Sequence, residues 1–248
     1  MISVKADIKE VEKYLTRIER KQIPFATALS LTKTAQHVKS KTLVRIFPRI
    51  FDRPTKWIAP SKSPTSKRGG FYIKPATKRD YTAGVFIKDE EWGKIGTPAF
   101  NVLKPQIEGG RRKSKSHEKK LRALGILGDD EYTVPGDAMR LDRFGNLTRA
   151  TYSKILADVQ GSNVGFAQGF GQATTKRGKK QYFYSPNLKP RGIYRRISRR
   201  RLVVALLFIR APRYKSRFDF IGISTRAARK RWPIEFQKAL DRALKTAR

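Results

Sequence analysis

Ile8, Val11, Leu15 and Ile18 recur at steps of three and four residues near the start of the chain. That period places them on one stripe of an amphipathic helix. Asp7 and Glu10, three residues apart, supply the capping-box pattern at its start. Pro24 opens a second helix, at a position where its missing N–H costs nothing. Phe25, Ala28, Leu29, Ala35, Leu43 and Ile46 fall on roughly one face of it, with Lys33, Lys41 and Arg45 off that face. The expectation is that this helix stops before Pro48 and packs antiparallel on the first.

The pattern then changes. Pro54, Pro60 and Pro64 interrupt residues 52–80, and Ser61 to Gly70 is a polar, basic loop. Phe71–Ile73 and Tyr81–Lys88 read as strands; Tyr81, Ala83, Val85 and Ile87 alternate onto one side. A second basic loop, Gly109 to Ser116, leads into a short helix with Leu121 and Leu124 on its apolar side and Gly125 as its stop. Thr148 caps a helix carrying Tyr152, Ile155, Leu156 and Val159, followed by a glycine-rich loop from Gly161 to Gly171. Tyr182–Tyr184, Ile193–Ile197 and Leu202–Arg210 form an antiparallel set. The last is apolar on both faces and so belongs in the middle of its sheet. A helix from about Thr225 closes the chain, with Pro233 near its start or at a kink and Phe236, Leu240, Ala243 and Leu244 as its stripe. The fold class is α+β: an N-terminal helical pair (1–51), a central mixed region with basic loops (52–170), and a basic β-rich segment with the C-terminal helix (171–248).

Charge changes this picture more than anything else in the composition. The 248 residues hold 56 Lys and Arg against 20 Asp and Glu, a formal net charge of +36. Residues 1–80 carry 19 bases and 6 acids, residues 81–170 carry 14 and 11, and residues 171–248 carry 23 and 3. Repulsion at that density strains a compact state unless an anion relieves it. The excess therefore implies a polyanion or acidic neighbouring subunits. With 14 Phe, 9 Tyr and 3 Trp the chain is too aromatic to be wholly disordered. There is no cysteine, which removes disulfides and thiolate metal sites and suits a reducing compartment. The longest apolar run, Leu202 to Ile209, is far short of the roughly 20 residues that span a bilayer, and no membrane partner is expected.

Candidate chemistry is sparse. Neither the phosphate-binding G-x-x-x-x-G-K-[ST] loop nor the G-x-S-x-G elbow occurs, and no cofactor motif stands out. His37 and His117 have no second ligand at metal spacing. Asp129, Asp130 and Glu131, with Asp137 and Asp142, are the one place a two-metal nuclease could hide; such chemistry needs carboxylates converging on cations roughly 4 Å apart. Adjacent acids in a glycine-bounded turn do not establish that convergence, and a solvated turn or an intersubunit salt-bridge patch is the preferred reading. The basic segments are more informative as a set. Arg111, Arg112, Lys113 and Lys115; Lys176, Arg177, Lys179 and Lys180; and Arg195, Arg196, Arg199, Arg200 and Arg201 all sit in or beside loops, near Tyr182, Phe183, Tyr184 and Tyr194. Such residues neutralise phosphates and release counterions, while exposed aromatics stack on bases; the preferred reading is that these aromatics are half-buried in the strands, which leaves contact with the nucleic-acid backbone without base reading. With only three acids in the last third, these bases are expected at the surface and mostly unpaired within the chain.

Leu103 to Gly110, Leu121 to Leu127, Tyr132 to Gly136 and Arg140 to Asn146 together resemble a family of tailed-phage and prophage virion proteins, the minor tail protein Z or tail-completion group. The closing stretch from Arg231-Trp232-Pro233 to Leu244 and the opening helix pair fit the same pattern. The resemblance implies a structural subunit of a homo-oligomeric ring at the head–tail junction. Its partners would be other tail or neck proteins, its place the virion, and the host cytoplasm during assembly. It implies no catalytic residues and no cofactor. The long middle and the arginine-dense β segment depart from the short members of that group. A sequence-independent nucleic-acid-binding protein of ribosomal or packaging type is the alternative.

Overall fold

The computed structural model describes residue 16 and residues 22–90, 97–163, 181–198 and 200–245. The Ile8–Ile18 stripe and its expected packing lie outside the described residues. The chain is α+β and divides into two units, Met1–Ile107 with Ser216–Arg248, and Glu108–Lys215. These boundaries differ from the composition boundaries at 51 and 170, because the first unit closes with sequence from the far end of the chain. Each unit is basic: the first holds 31 bases and 12 acids, the second 25 and 8.

In the first unit, α1 (Ile23–His37) continues through a π-helical segment (Val38–Leu43) into α2 (Val44–Ile50). Ala26, Ala28, Ser30, Thr34 and Ala35 are buried on α1, and small side chains of this kind let a second helix approach closely. That helix is α6 (Phe220–Lys245). Ala26 packs with Ala239 and Ala243 near the end of α6, whereas Val38, Leu43 and Phe47 share a core with Phe220, Ile223 and Ala227 at its start, so the two run antiparallel. The helical run does not stop before Pro48. An interior proline costs about 3 kcal/mol, but the same turn buries Phe47, whose ring lies 4.5 Å from Phe51, 5.8 Å from Phe71 and 5.7 Å from Phe218. Burying each such ring contributes about 1.5–3 kcal/mol, so the cluster as a whole, not one ring, outweighs the cost of the proline.

Several stripe positions shift. Phe25 is exposed, with the Lys78 ammonium 5.7 Å above its ring, and Leu244 is exposed while Ala239 takes the buried place. α6 begins at Phe220 rather than near Thr225, because the Asp219 carboxylate accepts the Gly222 N–H at 2.8 Å and caps it. β1 (Phe71–Lys74) and β2 (Gly84–Ile87) form an antiparallel hairpin that sets Phe71 opposite Ile87 in the core. Tyr81 lies before β2 and is exposed, so the alternation expected from it begins only at Val85. α3 (Ala99–Ile107) adds Leu103 to the same core.

The second unit is a four-stranded antiparallel sheet with two helices on one face. β4 (Glu131–Pro135), β5 (Tyr182–Tyr184), β6 (Gly192–Arg196) and β7 (Leu202–Arg210) take the order β4-β7-β6-β5. β7 is central, as its apolar faces predict. β4 is an edge strand the hydrophobic pattern did not announce. It pairs Thr133 with Phe208 and ends where Pro135 opposes Leu206, a placement that costs no internal ladder bond. α4 (Ser116–Ala123) and α5 (Arg149–Asn163) bury Leu121, Ile155 and Val159 against Ile193, Leu206 and Phe208. Thr148 caps α5 by accepting the Thr151 N–H at 3.2 Å. Gly125, at φ +68°, ends α4 and lets the Ile126 N–H reach the Leu121 carbonyl at 3.0 Å. A two-residue strand β3 (Gly110–Arg111) pairs with β8 (Arg213–Tyr214). Among the described residues no helix is long and apolar enough to cross a membrane.

Candidate nucleic-acid interface

The loop from Gly109 to Ser116 does not display all of its bases. Arg111, on β3, pairs with Asp130 at 2.9 Å, and both side chains remain exposed. Arg112 is drawn inward and grips Glu118 with both terminal nitrogens, at 2.8 and 2.6 Å. Glu118 is fully buried on the first turn of α4 and also accepts the Lys115 N–H at 2.7 Å and the Thr133 N–H at 2.9 Å. Burial alone pushes the Glu118 carboxyl up, but the Arg112 contacts and these backbone donors outweigh it and hold the group well below the usual carboxylate range. The Arg112 guanidinium also lies 4.5 Å above the Tyr132 ring. His117 belongs to the same cluster: its Nε2 is 2.8 Å from Thr133 Oγ1, and its ring stacks on Tyr152 at 4.2 Å. Burial lowers its pKa to about 4, so the ring is neutral at ordinary pH.

Within this loop the network takes Arg111 and Arg112 out of the set of bases expected to be unpaired. Arg111 and Arg112 are spent within the chain, because one buried carboxylate and one exposed one lie within reach. Lys113 and Lys115 are exposed on the same loop. No family model, curated protein or solved structure matches the chain.

The arginines of the β6–β7 hairpin are arranged otherwise. Arg195, on β6, is half-buried, and its Nε is buried without a hydrogen-bond partner among the described residues. Arg196 is exposed, with its guanidinium 5.5 Å over the Phe183 ring. Arg200 and Arg201 are exposed in the turn, which closes by the Ile197 N–H donating to the Arg201 carbonyl at 3.0 Å. None of Arg196, Arg200 and Arg201 has an ion pair among the described residues. Tyr182 is buried, Tyr184 packs against the core and Tyr194 is spent on the Pro190 carbonyl at 2.6 Å, so of the four neighbouring aromatics only Phe183 meets an exposed arginine. Arg199, Lys176, Arg177, Lys179 and Lys180 lie outside the described residues.

The acids do not converge. Asp130 pairs with Arg111, Glu131 with Arg191 at 2.8 Å, and Asp142 accepts the Phe144 and Asn146 N–H groups in a tight turn. Among the described residues no group of three metal-ligating side chains forms.

Sequence reading missed Lys39. It sits on the π-helical segment, almost completely buried, and donates to the carbonyls of Ser66 at 2.6 Å and Pro64 at 3.3 Å. Burial lowers its pKa, and Lys88 adds to the effect. Lys88 in turn donates to the Lys67 carbonyl. Two lysines thus tie down the polar loop that carries Lys62, Lys67 and Arg68. A π-helical insertion is the signal for such a site, and it leaves no mark in hydrophobic periodicity.

Proposed function

We propose that the chain is a structural component of a tailed-phage particle, of the tail-completion or neck type, that assembles as a ring and contacts the DNA backbone or acidic neighbouring subunits. It binds and positions; no reaction is assigned to it. The observation that carries the binding half is the set of exposed arginines at the β6–β7 turn, Arg196, Arg200 and Arg201, which have no ion pair among the described residues. The excess of bases in both units points the same way. Phosphate contact without base reading follows from this chemistry, since arginine at a phosphate carries no sequence information. The phage half rests on the resemblance of residues 103–146 and of the C-terminal helix to the tail-completion group.

The test is the mass of the purified chain in solution after nuclease treatment, measured by light scattering. A discrete closed oligomer free of nucleic acid supports the ring. A monomer whose aggregation disappears with nuclease supports the alternative, a nucleic-acid-binding protein of ribosomal or packaging type, and removes the ring.

A further inference from the structure

We infer that the outer face of the β1–β2 hairpin is a stacking platform for an unpaired nucleic-acid strand; this rests on the nucleic-acid half of the reading above and adds a second site, in the first unit, with its own ligand. The hairpin has two unlike faces. Phe71 and Ile87, directly opposite each other, turn into the core and are 0% and 8% exposed. Successive side chains of a strand alternate, so the next pair, Tyr72 and Phe86, turns outward. Their ring centroids lie 5.3 Å apart with the planes 22° from parallel, and Phe86 is 43% exposed. The glycine at position 84 makes room for this arrangement: a Cβ there would collide with the Phe86 ring, which leans along β2 over the bare backbone. The ring is held by the strand beneath it and by Tyr72 beside it, with the rest of its surface left to solvent.

Cross-strand aromatic pairs stabilise hairpins, and charge sets this pair apart from one with that role alone. Exposed bases sit at both ends of the platform. Lys67 and Arg68 lead into β1, and Lys88 fixes their loop by donating to the Lys67 carbonyl. Lys78 and Arg79 occupy the connection from β1 to β2 at the opposite end. None of these four has an ion pair among the described residues. The acids closest in sequence are already engaged: Asp80 pairs with Lys74 at 3.3 Å, Glu90 accepts from Asn101 Nδ2 at 3.1 Å, and Asp89 has a partner of its own. Four-residue strands separate the two basic ends by about 14 Å at about 3.4 Å per residue, the length of about four stacked nucleotides. An aromatic centre between cationic ends matches such a strand, with bases on the rings and phosphates on the lysines and arginines. Within a duplex each base face is covered by its neighbours, so only an unpaired strand offers one. An acidic protein surface would satisfy the four bases and leave the Phe86 ring against charge. Every base has a π-face, so stacking holds the strand without reading its sequence.

The experiment measures the intact chain on a thymidine strand of about 12 nucleotides, within the usual size of such sites, and on a DNA duplex of about 20 base pairs, two helical turns, across a salt series. The strand carries one central fluorescent base analogue that is quenched by stacking. The expected result is quenching when the parent binds. F86A and F86L should each weaken binding to the strand about 5- to 150-fold, the weight of one stacked base. Both should lose the quenching, keep the parent's salt slope and keep its duplex affinity, whereas F86W should bind the strand as tightly as the parent. F86L retains the apolar bulk of the hairpin, and tryptophan fluorescence in urea checks that each variant is folded. K67Q/R68Q/K78Q/R79Q should flatten the slope of log affinity against log salt on the strand by up to about 2.8, at about 0.7 per phosphate. The platform is overturned, and the broader reading left standing, by a folded F86L that binds the strand as the parent does, by an F86W that binds no better than F86L, or by equal losses on strand and duplex. A parent that binds the duplex and not the strand has the same consequence. A parent that binds neither probe overturns the broader reading as well.

Discussion

Replacing Glu118 with glutamine tests the electrostatic core of the second unit. Glu118 is 0% exposed and accepts from both Arg112 nitrogens, two backbone amides and Thr133 Oγ1 at 3.2 Å. Every one of these partners is a donor. Glutamine keeps one acceptor oxygen and turns the other position into a donor, so at least one N–H faces another N–H, and the partly buried guanidinium of Arg112 loses its counter-charge. Hydrogen bonds to charged groups contribute about 1.5–3 kcal/mol each, but the desolvation of Glu118 offsets much of that sum. The net figure is the cost of breaking a buried pair from one side, about 3–5 kcal/mol. Every tryptophan of the chain lies in the first unit, so the readout must be local to the second. Amide hydrogen exchange at Thr133 and along α4 provides it. The double replacement R112M/E118L removes both charges together and should cost less than E118Q alone, because no buried charge is stranded. If E118Q loses under about 1 kcal/mol of protection, or if the double variant is the worse of the two, the pair does not act as described.

His117 gives a pH prediction. It is neutral in the folded unit down to about pH 4, whereas the unfolded chain takes up a proton below its ordinary 6.5, so stability falls as pH falls between those values. The loss between pH 7 and pH 5 should be about 2 kcal/mol by that linkage, and H117Q, which keeps a partner for Thr133, should flatten it; a pH-independent parent would contradict the burial of the ring. In the first unit, F218A should cost about 3–5 kcal/mol in urea unfolding, since the ring is fully buried among Phe47, Phe51 and Phe220. A26L should cost about 1–3 kcal/mol or more, because the α1–α6 contact is built from small residues; parental stability would place another surface opposite Ala26.

What the chain reveals before it is folded depends on how local the cause is. The Thr148 cap, the Gly125 stop and the central place of β7 were legible because each rests on a few adjacent residues. The partner of α1 was not: an apolar stripe says that something covers it, and the covering helix comes from the other end of the chain. Pro48 was read as a helix stop because local cost is visible in a sequence and the aromatic cluster that offsets it is not. β4 escaped because it is short, begins in the acidic run and ends in proline. Within the basic loop, Arg112 looks like its neighbours. Glu118 is the single acid among residues 111–120, and that isolation was the available signal that a buried pair would claim one of the arginines.

The central claim is that the excess charge exists to meet a nucleic-acid backbone, and the salt dependence of DNA binding tests it most directly. On several duplexes of unrelated sequence, the intact chain should show one common slope of log affinity against log salt. About six phosphate contacts give a slope of roughly −5. A slope near zero, no binding at low salt, or slopes and affinities that differ widely between sequences would contradict the account.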